Sequence, residues 1–135
     1  MNTRLGGLAV AVAVLWAPAI AQEPEYDETR VDEMLDFHLN CYTFNQLLAF
    51  ERTDLLVSRS RAARYHHTVV QLIVTDFGYA SPELLVEQKS RQIGEAYFDG
   101  TISFDQIHSY VFDTCEEERR TGEPRLQEIL KGEGE

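Results

Sequence analysis

The feature that most constrains the fold is a pair of cysteines, Cys41 and Cys115, the only two in the chain of 135 residues. Each recurs with apolar residues at helical spacing, so each is expected on the buried face of a helix. Two such thiols in an oxidising compartment form a disulfide. The sequence therefore predicts an intramolecular bond that joins the first and last helices. A disulfide-linked dimer is the alternative, which burial of both thiols disfavours.

The helix that carries Cys115 has the clearest boundaries in the sequence. Gly100 is typical of a left-handed residue that ends the preceding helix. Ser103 and Gln106 fit a capping box, in which each side chain accepts a hydrogen bond from the other residue's backbone N–H. Apolar side chains then share one face of a 3.6-residue period: Phe104, Ile107, Val111 and Cys115. We predict a helix over residues 103–118.

The same stretch resembles the second half of an EF-hand calcium loop, with Gly100 at its sixth position. Glu95, Asp99 and Ser103 are then the candidate ion ligands. However, the loop ends on the neutral Gln106 instead of a bidentate glutamate, and only two carboxylates would face the ion. The helix cap is therefore the favoured interpretation, and calcium binding is a weaker alternative.

The chain divides into four regions of different composition. Residues 1–21 have a basic start, an apolar core and a final Ala-x-Ala, which is typical of a Sec signal peptide cut near Ala21–Gln22. Residues 22–29 predict an acidic tether. Residues 30–118 predict a helical domain, and the charged, glycine-containing residues 119–135 predict a flexible tail. We therefore expect a periplasmic or secreted protein with no stable membrane anchor after cleavage.

Three more helices are predicted before the last one. The first starts near residue 29 and carries an apolar seam: Met34, Phe37, Cys41, Phe44 and Leu48. The second includes Thr68–Thr75, whose β-branched residues are also compatible with a strand; no partner strand is evident, so a buried helix is favoured. The third starts with Ser81 as cap and Pro82 in the first turn. Short loops between the segments predict an all-α, up-down four-helix bundle.

The predicted disulfide also sets a register between the first and last helices, in which His38 lies level with Glu118. His38 and His108 are then roughly 15 Å apart along the bundle axis, too far to share a metal ion. His66 and His67 are adjacent in sequence and point to different faces of a helix, so they cannot chelate an ion together. We predict no metal site, no cofactor and no catalytic residues.

The charge is strongly acidic, with 23 acidic and 12 basic residues and a formal net charge of −11. Such a charge disfavours binding to nucleic acid. Residues 55–75 are an exception, because they contain three arginines, two histidines and no acidic residue. Pairing of this basic patch with the acidic ends of the chain is the favoured interpretation. The alternative is a docking surface for an acidic partner or a polyanion, formed by Arg59, Arg61, Arg64 and His67.

These features favour a small exported helical protein that acts through contacts with a protein of the cell envelope, without catalysis. The layout, in which two cysteines clamp an all-helical chain, is similar to that of small helical periplasmic acid-stress chaperones, although no sequence motif is shared. An acid-responsive chaperone-like protein is therefore the first alternative. A ligand- or ion-binding module that uses the EF-hand-like loop of Glu95, Asp99 and Ser103 is the second.

Overall fold

A computed structural model describes residues 28–133. Within them the chain forms four helices: α1 Glu28–Glu51, α2 Leu56–Phe77, α3 Pro82–Phe98, and α4, which starts at Phe104. Helix α4 has three successive segments: α-helical Phe104–Tyr110, a π-helical turn Val111–Cys115, and α-helical Glu116–Glu133. The described residues contain no strand, which confirms the prediction of an all-α bundle.

Short connections make successive helices antiparallel. A 3₁₀ turn, Thr53–Leu55, separates α1 from α2. Gly78 ends α2 with a φ of 75°, the left-handed conformation that glycine adopts without strain. The Ser81 hydroxyl accepts a hydrogen bond from the Leu84 N–H at 3.2 Å and caps α3. Residues 68–75 lie inside α2, so the predicted buried helix is confirmed.

Two apolar clusters fill the interior. The first joins α1, α2 and one residue of α4: Val31, Leu35, Leu39, Tyr65, Val69, Val70, Ile73, Val74, Phe77 and Leu126. The second joins α1, α3 and the start of α4: Phe44, Leu48, Ile93, Ile107 and Val111. Along α1, Cys41 lies between the residues of the two clusters. The disulfide therefore crosses the bundle where apolar packing is interrupted.

Cys41 and Cys115 form the predicted intramolecular disulfide, with a Cα–Cα distance of 5.7 Å. Both cysteines are fully buried. The bond joins α1 to the π-helical turn of α4. The predicted register follows, because His38 Nε2 lies 3.8 Å from a carboxylate oxygen of Glu118.

Residues 119–133, which the sequence predicts as part of a flexible tail, belong to α4 instead. Leu126 is only 3% exposed and packs in the first apolar cluster. Arg119 forms ion pairs with Glu116 at 3.1 Å and with Glu123 at 2.7 Å. The local glycine and charge content suggested flexibility, whereas contacts with α1 and α2 hold this segment against the bundle.

The predicted signal peptide, residues 1–21, and residues 22–27 of the predicted tether lie outside the described residues. Glu28 and Thr29, also assigned to the tether, are the first residues of α1, so the helix starts slightly earlier than predicted. Among the described helices, none combines the length and the apolar character needed to cross a bilayer.

Candidate functional site

His38 on α1 and His66 on α2 face each other in the core, and both are fully buried. Their Nδ1 atoms lie 2.9 Å apart, a hydrogen bond in which one ring donates and the other accepts. Burial lowers the pKa of His66 to about 3, and the positive charges of Arg119 and Arg59 act in the same direction. Burial and the neighbouring His66 also hold the pKa of His38 well below its usual 6.5. Both imidazoles are therefore neutral at pH 7.

The hydrogen bond to His38 is the one polar contact of His66 within residues 28–133. Its Nε2 atom is buried and has no hydrogen-bond partner there. An unsatisfied buried polar group costs about 1–3 kcal/mol. His66 is therefore a polar side chain in the core whose hydrogen-bonding capacity the fold does not use fully.

Glu118 reaches the histidine pair from α4, one turn after Cys115. Its two carboxylate oxygens accept hydrogen bonds from the Tyr65 hydroxyl at 3.0 and 3.1 Å. Burial and the negative charge of Glu118 raise the pKa of Tyr65 above its usual range, so the hydroxyl keeps its proton and donates. The Glu118 side chain is 19% exposed, whereas that of His38 is fully buried.

A glycine permits this contact between Tyr65 and Glu118. A Cβ atom added at Gly122 would collide with the Tyr65 hydroxyl and lie 2.7 Å from the Glu118 Oε2 atom. Glycine within a helix is less favourable than alanine by about 1 kcal/mol. The close approach of α2 to α4 gives a physical reason for glycine at this position.

Side chains that commonly ligate metal ions converge around His66. One ligand atom each from His38, His66 and Glu118 lie within 4.8 Å of one another. The same holds for His66 and the sulfurs of Cys41 and Cys115. His38 and Cys41 are three residues apart on α1, and Cys115 and Glu118 are three residues apart on α4, so each pair shares a helix face. The two faces meet at the disulfide.

Arg59 belonged to the alternative docking surface of the basic patch, but the structure buries it to 5% exposure. Its Nη1 atom donates hydrogen bonds to Asn45 at 2.8 Å and to Glu116 at 3.0 Å, and its guanidinium carbon lies 4.6 Å from the centroid of the Phe112 ring. Burial acts to raise the pKa of Glu116, but Arg119 and Arg59 outweigh it and hold that pKa below its usual value. Arg59 thus links α1, α2 and α4 and is not available to a partner. For this residue the favoured interpretation, pairing within the chain, applies, and the docking alternative does not.

The other predicted docking residues lie closer to solvent. Arg61 and Arg64 are exposed, and neither forms an ion pair with another described residue. His67 is half-buried, with its ring centroid 5.3 Å from that of Tyr42. The structure therefore does not bring the four predicted docking residues together on one surface. Intramolecular pairing accounts for Arg59 but not for Arg61 and Arg64.

The side chains of the EF-hand-like loop form hydrogen bonds at the end of α3 and at the start of α4. Asp99 Oδ1 accepts hydrogen bonds from the backbone N–H and the hydroxyl of Thr101 at 2.9 and 2.6 Å. Ser103 and Gln106 form the predicted capping box, with distances of 3.1 and 2.8 Å. Glu95 is exposed on α3. The helix-cap interpretation of this loop is thereby confirmed.

Sequence reasoning missed the His38–His66 pair because it compared His66 only with its neighbour and His38 only with the last helix. A usable signal was nevertheless present. Counted along the sequence, His38 and His66 are the same number of residues from Arg52, which directly follows α1. The hydrogen-bonded residues Asn45 and Arg59 are also placed symmetrically about Arg52. An antiparallel α1–α2 hairpin centred on Arg52 would have predicted both contacts.

Large apolar side chains are exposed at one end of the bundle. Phe50 ends α1, Val57 starts α2 and Phe98 ends α3, and their exposures are 81%, 72% and 90%. Leu56, beside Val57, is 50% exposed. In an up-down bundle these helix termini lie at the same end. We call these four residues the apolar end. The other exposed large apolar residues that the structure describes are at most 45% exposed: Leu84, Phe112 and Leu130.

Comparisons with protein-family models, with curated proteins and with solved structures found no match for this chain. Its function therefore has to be inferred from its own geometry.

Proposed function

We propose that the protein is a small exported helical protein that binds a partner protein of the cell envelope through the apolar end and performs no catalysis. The observation that carries this proposal is the exposure of Phe50, Val57 and Phe98 at one end of the bundle. Exposed apolar groups that lie together are typical of interaction sites in soluble proteins. Burial of each phenylalanine in an interface would contribute about 1.5–3 kcal/mol.

Acidic residues define the chemistry of the partner. Glu51, Asp99 and Asp105 are exposed and lie at the same helix termini as the apolar end. Arg52 does not offset them, because its guanidinium is paired with Asp54 at 2.8 Å. The complementary partner is a segment with apolar residues flanked by lysine or arginine, since charge complementarity guides association and register.

Export is supported by the buried Cys41–Cys115 disulfide, which is compatible with an oxidising compartment such as the periplasm or the extracellular space. Together with the predicted signal peptide, the disulfide supports a location outside the cytoplasm.

The test uses a photo-crosslinking side chain placed at position 98 in the native host, followed by purification of the crosslinked partner. Its dissociation constant is then measured by calorimetry with the wild-type protein and with Phe50→Ser and Phe98→Ser. Each substitution is expected to weaken binding by about 10-fold or more. Leu84→Ser, on the exposed start of α3 at the opposite end, is the matched control and should bind normally.

Both phenylalanines are exposed, so their replacement should leave the fold intact, and circular dichroism checks this. A variant that carries both Phe50→Ser and Phe98→Ser completes the test. If its dissociation constant for the partner is unchanged, the apolar end is ruled out as the binding site. Sedimentation analysis adds a further check. If the wild-type protein self-associates through Phe98, the surface belongs to a second copy of this chain and the proposed partner is wrong.

The two alternative functions differ in their support. The EF-hand-like loop is not proposed as an ion site, because Asp99 and Ser103 are engaged within the loop and in the helix cap. The acid-responsive chaperone stays a prediction from the layout in which two cysteines clamp an all-helical chain. A chain that stays compact and binds no apolar dye at pH 3 would contradict it.

A further inference from the structure

The cluster around His66 brings three side chains that commonly ligate metal ions within reach of one another. We propose that His38, His66 and Glu118 bind a divalent transition-metal ion of the Zn²⁺ class while the disulfide is intact. Helical bundles build metal sites in this way, from inward-facing side chains of neighbouring helices. Two imidazole nitrogens and one carboxylate oxygen, with a fourth position for water, form the ligand set of open zinc sites.

The distances allow an ion to enter with small movements. The two Nδ1 atoms are 2.9 Å apart. Zinc–nitrogen bonds of about 2.0–2.1 Å in a tetrahedral site place two nitrogens about 3.3 Å apart. The rings therefore need to separate by only about 0.4 Å. The proton of the donating Nδ1 moves to the Nε2 atom of the same ring, so both imidazoles stay neutral while their Nδ1 atoms bind the ion. One ligand atom from each of the three residues lies within 4.8 Å of the others. Glu118 lies 3.8 Å from the Nε2 atom of His38, not from the Nδ1 atom that contacts His66, so its carboxylate has to rotate toward the ion, and its partial exposure leaves room for this rotation.

The hydrogen bonding of His66 leaves this side chain available for coordination. Its Nδ1 atom contacts only the Nδ1 atom of His38, and its buried Nε2 atom has no hydrogen-bond partner in residues 28–133. Neither nitrogen of His66 is thus committed to a backbone group or a carboxylate.

The surroundings hold the carboxylate ligand and set the local charge. Tyr65 donates to both oxygens of Glu118, which is the kind of outer contact that orients a metal ligand. The charged residues linked to the cluster are two arginines and three glutamates: Arg59, Arg119, Glu116, Glu118 and Glu123. Their net charge is negative by one, so the three glutamates offset the repulsion that Arg119 and Arg59 exert on a cation at His66.

The disulfide keeps the nearby sulfurs out of the ligand set. Cys41 and Cys115 lie close to His66, and as free thiolates they would be strong zinc ligands. In the oxidised protein the first shell consists of nitrogen and oxygen only. This difference separates the proposed site from a site that forms only after reduction.

The experiment uses the purified protein with its disulfide intact, confirmed by intact mass. Zn²⁺ is titrated against a chromogenic chelator, and Co²⁺ is added as a spectroscopic probe. We expect one Zn²⁺ per chain, visible Co²⁺ bands typical of low coordination, and no binding of Mg²⁺ or Ca²⁺, which prefer all-oxygen sites. X-ray absorption of the zinc-loaded wild-type protein should show two imidazoles and no sulfur in the first shell.

Substitutions assign the ligands. His66→Gln and Glu118→Gln should weaken Zn²⁺ binding by about 100-fold or more, and Tyr65→Phe, which removes an outer contact, by about 10–100-fold. His67→Gln and His108→Gln are matched controls that remove a histidine outside the cluster and should bind normally. Unaltered affinity in a folded His66→Gln variant would overturn the proposal.

Two results on the wild-type protein would also overturn the proposal, even where a variant does not fold. One is the absence of Zn²⁺ binding to the oxidised chain, which would leave the cluster as a structural hydrogen-bond network. The other is binding that appears only after reduction, with sulfur in the first shell, which would assign the ion to the two cysteines.

Discussion

The two α-helical segments of α4 are held to the bundle by different kinds of contact. Phe104–Tyr110 starts with a capping box and contributes the fully buried Ile107 to the second apolar cluster. Glu116–Glu133 contributes one residue, Leu126, to the buried part of the first cluster. It is otherwise fixed by polar contacts, including those of Glu116 with Arg59 and of Glu118 with Tyr65.

This difference shows which parts of a fold are visible in local sequence. A cap and an apolar stripe are patterns of neighbouring residues, so Phe104–Tyr110 could be predicted from its own sequence. The second segment contains Gly122 and Pro124, both unfavourable inside a helix. Its helical state depends on partners more than 50 residues away, such as Arg59 and Tyr65.

The largest effect is expected at the junction of the two segments, where Cys115 is bonded to Cys41. Replacement of either cysteine by serine should lower the free energy of unfolding by up to about 4 kcal/mol, because the disulfide closes a loop of about 75 residues. Urea denaturation measures this loss. The double replacement should be no worse than either single one.

Hydrogen exchange locates the effect of losing the disulfide. In the cysteine variants, amides after residue 116 should lose more protection than those of Phe104–Tyr110, since the first segment keeps its apolar packing. Equal loss in both segments would contradict the distinction between them. Reduced wild-type protein provides the control, because it should behave like the variants.

The second prediction compares the buried apolar residue of each segment. Ile107→Ala should cost about 3–4 kcal/mol, because Ile107 is fully enclosed in its cluster, and Leu126→Ala about 2 kcal/mol, because its segment can relax more easily. Denaturant titration gives both values. An equal or larger loss for Leu126→Ala would show that apolar packing holds the second segment as firmly as the first.

The same distinction explains what could be predicted elsewhere. Spacing along the chain predicts the Ser81 cap and the disulfide. The disulfide in turn predicts that His38 and Glu118 lie at the same height in the bundle. The burial of Arg59 and its contact with Asn45 were missed. Both depend on the register of the α1–α2 hairpin, and charged or amide side chains give no periodic signal that they face inward.

The third prediction concerns two helical glycines. Gly122→Ala should destabilise the fold by about 1–3 kcal/mol, because the new Cβ would collide with the Tyr65 hydroxyl. Gly94→Ala is the matched control: nothing lies within 4 Å of its added Cβ, so the substitution should stabilise α3 by up to about 1 kcal/mol.

A double-mutant cycle tests the cause. Tyr65→Phe removes the hydroxyl, so Gly122→Ala should cost less in that background than in the wild type. Thermal and urea denaturation of the four proteins give the coupling. Simple additivity would mean that the hydroxyl is not what requires glycine at position 122.

The smallest effects are expected when one local contact is removed from each of the two α-helical segments of α4. Ser103→Ala removes the hydroxyl that caps Gln106 and should cost about 1 kcal/mol, as is usual for a helix N-cap. Arg120→Ala breaks an ion pair with Glu117 in which both side chains are about two-thirds exposed, and solvent screening should leave no measurable change. Urea midpoints at low and high salt measure both. A salt-sensitive loss in Arg120→Ala would mean that exposed charges also hold the second segment. No loss would restrict that role to the partly buried ion pairs of Arg59 and Arg119 with Glu116.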